Sequence, residues 1–266
     1  MRLRHHAGTG LSFDNLGEVT ALARGEWPAG KPVGHHWSVT RALPRLLGLL
    51  DEFGLRATFF VEGLNAELYP QALRDIAAAG HEVGLHGWRH ELWDSLSPAE
   101  EDELLRRGIA ALAALGLEVE GFRPPGGALG PTSVVRLAAH GLRWCSPAGE
   151  HAGRKAGIAC LPFRWRGVDA YHRLESFTDR RTAWGDKADV ASPTEAADAL
   201  IGAIDARGDE PLVLILHPFL MLEDSEAAQA RRVLEHLAEQ VARGTRWVAP
   251  GRELAALVGE ELPCAS

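Results

Sequence analysis

Strand-like apolar runs alternate with helical patterns along almost the whole chain, and that alternation restricts its fold more than any other feature. A short apolar run over 8–13 stops in a polar turn, Asp14-Asn15-Leu16-Gly17-Glu18. The loop over 20–37 is broken by glycine and proline. Ser38 or Thr40 can then cap a helix carrying Leu43, Leu46, Leu47 and Leu50, which Gly54 ends before a buried strand over 57–61. A helix over 71–79 is closed by Gly80 and leads into the strand ending Val83-Gly84-Leu85. Ser97-Pro98-Ala99-Glu100 opens a third helix with a capping residue, a proline in the first turn and acidic residues at the positive helix end. A strand over 117–122 is stopped by Arg123-Pro124-Pro125-Gly126-Gly127, and a helix over 131–140 and strands over 142–145 and 158–163 follow. From Arg164 to Ser192 the pattern lapses into a long aromatic and polar segment, as expected of a lid or pocket wall. A helix to Arg207, the very hydrophobic strand Leu212–Leu216, a helix over 225–243, a strand at 246–248 and a closing helix from Gly251 complete the chain.

About seven or eight strands alternating with helices favour a closed or nearly closed parallel (β/α) barrel, with a doubly wound open sheet as the alternative. With 266 residues, 46% of them hydrophobic, the chain suits one α/β domain with one large core, so residues 1–266 are read as a single domain. A net charge of -8 argues against nucleic acid or an anionic membrane as partner and leaves small neutral or cationic substrates. Cys145, Cys160 and Cys264 are sparse and lack metal spacing, and neither a signal h-region nor a membrane span is read. A cytoplasmic protein is the expectation, with a homo-oligomer left open.

The residues that carry chemistry cluster at strand ends. Asp14, His86, Arg123 and His217 each lie just past one, and in a barrel those ends share one face. Four residues separate His86 from His90, a spacing that lets two imidazoles converge on one ion from one side of a helical turn. Read singly, Asp14 also suits a turn, Arg123 a surface charge, and the two histidines an exposed loop. His217 differs, because an imidazole closing an aliphatic strand is shielded and needs a partner or a task.

Four segments in order, SFDN at 12–15, HGWRH at 86–90, RPPGG at 123–127 and LILHP at 214–218, resemble the polysaccharide deacetylase family of carbohydrate esterases, as do RATFFVEG at 56–63 and GHEVGLHG at 80–87. The resemblance implies a distorted (β/α) barrel that hydrolyses an N-acyl or related amide bond. It maps Asp14 to the catalytic base, His86 and His90 to metal ligands, Arg123 to the residue orienting the base, and His217 to the general acid, kept by burial from permanent charge. It also implies a divalent ion, zinc foremost, with cobalt or nickel as alternatives. The expected substrate is a small intracellular N-acyl amino sugar or similar amide, with Trp88, Asp169 and Tyr171 as binding residues.

Asn15 departs from that family's pattern, which has a second, metal-binding aspartate at this position. An asparagine oxygen still ligates but removes a negative charge, so Glu18 is a candidate helper. A metal-independent hydrolase of cyclic amides or ureides, like the allantoinase-type relatives that the LPFRW segment at 161–165 resembles, is the alternative. A barrel that binds a carbohydrate or metabolite without hydrolysing it is another. The carboxylate behind the acid histidine has no clean match, Glu150 and Asp169 being candidates.

Overall fold

The structure, a computed structural model, describes residues 8–206 and 211–259, so Cys264 and the Arg207 end of the expected helix lie outside the described residues. Its strands are β1 (Gly8–Asp14), β2 (Thr58–Val61), β3 (Glu82–Leu85), β4 (Gly121–Phe122), β5 (Trp144–Cys145), β6 (Gly153–Lys155), β7 (Ile158–Cys160), β8 (Leu212–Leu216) and β9 (Trp247–Ala249). The helices are α1 (Val19–Ala23), α2 (Leu43–Glu52), α3 (Asn65–Leu68), α4 (Pro70–Ala78), α5 (Pro98–Ala113), α6 (Ser133–Ala139), α7 (Asp169–Arg173), α8 (Thr178–Ala183), α9 (Pro193–Ala206), α10 (Asp224–Ala242) and α11 (Gly251–Ala255). Among the described residues no helix is long and apolar enough to cross a membrane.

The strands form one sheet in the order β6-β7-β5-β4-β3-β2-β1-β8, with β9 added against β1. Every pairing is parallel except β6 with β7. This is the distorted (β/α) barrel, but it is not closed: among the described residues β6 and β8 are edges that do not pair with each other. Two isolated parallel bridges, Ala148↔Phe163 and Val168↔Ile215, let the segment from Phe163 to Val168 reach from the β5–β7 side to β8 across the opening.

Local chemistry explains the elements. Ser97 and Glu100 form a reciprocal capping box at the start of α5, with Pro98 in its first turn, as its sequence predicts. The entry to α2 differs from expectation. Residues Ser38–Ala42 form a π-helical turn without a side-chain cap, and the Ser38 hydroxyl accepts the Gly17 N–H at 2.9 Å instead. The apolar faces of α2, α4 and α5 meet β1–β3 in a core that includes Leu46, Leu50, Leu73, Leu105 and the stacked rings of Phe13 and Phe59, 4.8 Å apart.

Trp144 fits a slot that glycine keeps open. A Cβ on Gly121 would lie 2.4 Å from its ring and one on Gly251 only 2.0 Å, while Glu82 accepts its indole N–H at 3.1 Å. Gly121→Ala is therefore expected to destabilise by about 1–3 kcal/mol through overpacking. Gly48→Ala, on an exposed turn of α2 with no atom within 4 Å of the new methyl, is expected to act in the opposite direction, by about 0.5–1 kcal/mol. Thermal unfolding of the two variants checks both signs.

Candidate active site

The carboxyl ends of the parallel strands deliver the polar residues. His86 N–H donates to Val61 O at 2.8 Å, Arg123 N–H to Leu85 O at 3.0 Å and Ser146 N–H to Phe122 O at 2.8 Å, so each residue sits one step beyond its strand with its backbone still tied to the neighbouring one. The pairing of β1 with β8 matches Phe13 to Leu216, which brings Asp14 and His217 to the same end of adjacent strands.

Arg123 is 1% exposed. One terminal nitrogen donates to Asp14 Oδ1 at 2.7 Å and Ser12 Oγ at 2.8 Å, and the other donates to Ser146 Oγ at 2.9 Å. The Ser12 hydroxyl donates in turn to Leu214 O at 2.8 Å, and the guanidinium lies 4.1 Å over the Phe60 ring. Burial pulls the guanidinium pKa below its ordinary value, while the charge and hydrogen bond of Asp14 work against the fall. Two buried charges so held are mutually dependent, since removing either leaves the other uncompensated.

His86 and His90 face each other edge to face with ring centroids 4.9 Å apart. No helix brings them together, contrary to the sequence reading. Residues 87–89 form a turn in which Gly87 has φ of +71° and His90 itself φ of +66°, a left-handed conformation uncommon for a residue with a side chain. Glu91 shapes that turn by accepting the backbone N–H groups of Trp88 and Arg89, each at 2.9 Å. His86 Nδ1 lies 2.8 Å from Arg123 O, so it carries the proton and leaves the Nε2 lone pair free. Burial pushes His86 down to about 3, with the charges of Arg123 and His217 assisting against the Arg123 carbonyl. His90 falls to about 3 through burial, aided by His86 and Arg24. Both imidazoles are neutral near pH 7.

His217 behaves oppositely. Burial works to lower its pKa, but the charge and hydrogen bond of Asp169, with the charge of Asp14, outweigh it and the net shift is upward. Asp169 Oδ1 lies 2.5 Å from His217 Nδ1, and its Oδ2 accepts the His217 backbone N–H at 2.7 Å. Asp169 therefore stands behind His217 and is not placed as a substrate contact, whereas Glu150 pairs with Arg164 on the surface. The expectation that burial restrains the charge of His217 is corrected by that carboxylate.

Several expected residues take other places. Trp88 is 2% exposed, packed with Val19 and Leu64 and covered by the Arg107 guanidinium at 3.8 Å, so it offers no open ring to a ligand. Tyr171 is buried, and its hydroxyl is spent on Asp186 at 2.5 Å. Glu18 anchors the 20–37 loop instead of joining the histidines: it accepts the Gly34 N–H at 2.5 Å and the Tyr69 hydroxyl. Asn15, with φ of +59°, turns its amide nitrogen to Glu62 Oε1 at 2.8 Å. Glu62, the residue directly after β2, was overlooked in the sequence although it obeys the same strand-end rule as His86 and Arg123. It is wholly buried, and that burial, with the charges of Asp14 and Glu91, raises it to about 8 against the hydrogen bond from Asn15.

Among the described residues no three His, Cys, Asp or Glu side chains gather around one point as a ready metal cage. The donor chemistry nonetheless suits a borderline-soft divalent ion: two neutral imidazoles, one with its remaining N–H given to a carbonyl in the manner of metal-bound histidines, and an amide oxygen from Asn15 as third donor. The set is neutral, which favours looser binding than one containing a carboxylate.

The polysaccharide deacetylase family model matches residues 32–145. A peptidoglycan deacetylase of Helicobacter pylori is 30% identical over 103 residues, 38% of this chain and 35% of that protein. The chain matches only about a third of the length of such curated relatives. A solved structure from Mycobacterium smegmatis, named as a polysaccharide deacetylase, superposes with a TM-score of 0.79 at 26% identity over 100% of this chain and 96% of its own. An allantoinase structure superposes with a TM-score of 0.75 at 16% identity over 97% of this chain and 91% of its own, a likeness of fold.

Asp169→Asn removes the charge that lifts His217 while burial continues to press downward. NMR titration of the His217 ring is expected to show its pKa falling from above the ordinary histidine value to below it. Arg123→Ala, which strands buried Asp14, is expected to lower stability by about 3–5 kcal/mol in urea unfolding.

Proposed function

We propose that this chain, a member of the polysaccharide deacetylase family, hydrolyses an N-acyl bond, removing an acetyl group from the nitrogen of a small amino sugar or related metabolite inside the cell. The observation that carries this reading is the opposition, at one sheet edge, of a carboxylate aimed by a guanidinium and an imidazole whose proton is stabilised by a second carboxylate.

Asp14, fixed by Arg123, takes a proton from the attacking water as its oxygen bonds to the acyl carbon. His217, whose proton affinity Asp169 raises above that of an ordinary histidine, gives its proton to the departing nitrogen as the carbon–nitrogen bond breaks, leaving a carboxylic acid and an amine. Asp169 holds the His217 ring through Nδ1, so Nε2 is the nitrogen that delivers the proton. His86, His90 and the Asn15 amide are the residues that would hold a divalent cation, zinc foremost. When bound, that cation supplies Lewis acidity toward a carbonyl oxygen and toward water. Both imidazoles are already neutral, so no proton has to leave them first.

A second reading, a metal-independent hydrolase of cyclic amides or ureides, draws on the uncharged donor set left by Asn15 and on the allantoinase-like fold. One preparation separates the two. Acetate and amine release from a panel of N-acetylated sugars, measured alongside metal content, is expected to rise with zinc occupancy and to drop by roughly 10²-fold or more in Asp14→Asn. Activity needing protonated His217 is lost as pH rises through its raised pKa, and Asp169→Asn moves that limb to lower pH. Cyclic-ureide hydrolysis untouched by chelator, with no acetate released at any zinc occupancy, would sink the first reading in favour of the second.

A further inference from the structure

We infer that Glu62 and Asn15 are a matched acceptor and donor, and that Glu62 is a positioning residue that both selects an amide at position 15 and sets its orientation. Glu62 is 0% exposed, and both of its oxygens are answered by amide nitrogens: Oε1 by Asn15 Nδ2 at 2.8 Å and Oε2 by Asn65 Nδ2 at 2.9 Å. The second hydrogen on Asn15 Nδ2 is directed to Thr20 Oγ1 at 3.3 Å. With its nitrogen engaged on that side, the Asn15 amide can present only its oxygen elsewhere. Asn65 is pinned in turn, its Nδ2 also donating to Leu16 O at 3.0 Å, so neither neighbour of Glu62 can reverse its amide without losing a buried hydrogen bond.

The pairing explains why a carboxylate does not stand at position 15. A carboxylate there would take away the amide hydrogen that Glu62 Oε1 accepts and leave two adjacent carboxyls with at most one proton between them. The donor–acceptor polarity can be inverted, however. If position 62 carries an amide, its NH2 donates to a carboxylate at position 15 and its oxygen accepts from Asn65, so the donor–acceptor match across the pair is restored. Asn15→Asp and Glu62→Gln are thus each mismatched alone and compatible together, the pattern of two residues whose effects are coupled.

The test is a double-mutant cycle with two readouts. In metal-free protein, each single variant is expected to melt roughly 3–8 °C below the wild type, with Asn15→Asp/Glu62→Gln regaining most of the loss. In zinc titrations against a chromophoric chelator, the double variant is expected to bind about tenfold or more tightly than the wild type, and Asn15→Asp alone to fall short of it by a similar factor. Melting shifts that simply add would overturn the pairing whatever zinc does. An Asn15→Asp protein that gains as much zinc affinity as the double variant would overturn it equally. The zinc readout rests on the reading of His86 and His90 as a cation site and the metal-free readout does not, so coupled melting without zinc binding in any form would keep the pair and remove the cation.

Discussion

A guanidinium buried among aromatic rings needs acceptors on its terminal nitrogens, and Arg123 finds them in Asp14, Ser12 and Ser146 from two other strands. That requirement ties β1, β4 and β5 together at one end of the sheet. It fixes where Asp14 points and, through the Arg123 carbonyl, which nitrogen of His86 stays unprotonated. One side chain and its own peptide oxygen thus set the geometry of two neighbouring strand ends.

The same end of the sheet shifts its imidazoles in opposite directions. His86 is buried and His90 half-buried, neither has a carboxylate in hydrogen-bond contact among the described residues, and desolvation dominates. His217 is equally buried, yet a carboxylate in direct contact reverses the balance. Burial alone therefore does not set the direction in which these histidines shift; the position of Asp169 does.

Much of this was legible in the sequence. The alternation of apolar runs and helix signals marked the strands, and polar residues directly after them marked Asp14, His86, Arg123 and His217. What escaped depends on contacts between distant segments. Asp169 reaches His217 across 48 positions, inside a segment without periodicity. Glu62 carried no local signal of burial, because its place depends on Asn15 and Asn65 closing over it. Trp88 and Tyr171 were read as ligand faces because aromatic residues near a motif look alike whether they line a cleft or fill the space behind it. The opening in the barrel was invisible for a related reason: local pattern counts strands, and only tertiary contact says whether the last one meets the first.

That opening gives the two titratable halves of the site different structural foundations. Asp14 and Arg123 stand on paired strands within the sheet, whereas Asp169 begins a helix immediately after the segment that spans the gap, attached by one isolated bridge at Val168. The halves are modular. Insertions or substitutions in the spanning segment can reset the proton affinity of His217 while leaving the Asp14–Arg123 pair in place, so descendants of this scaffold can diverge in their working pH without rebuilding the sheet beneath.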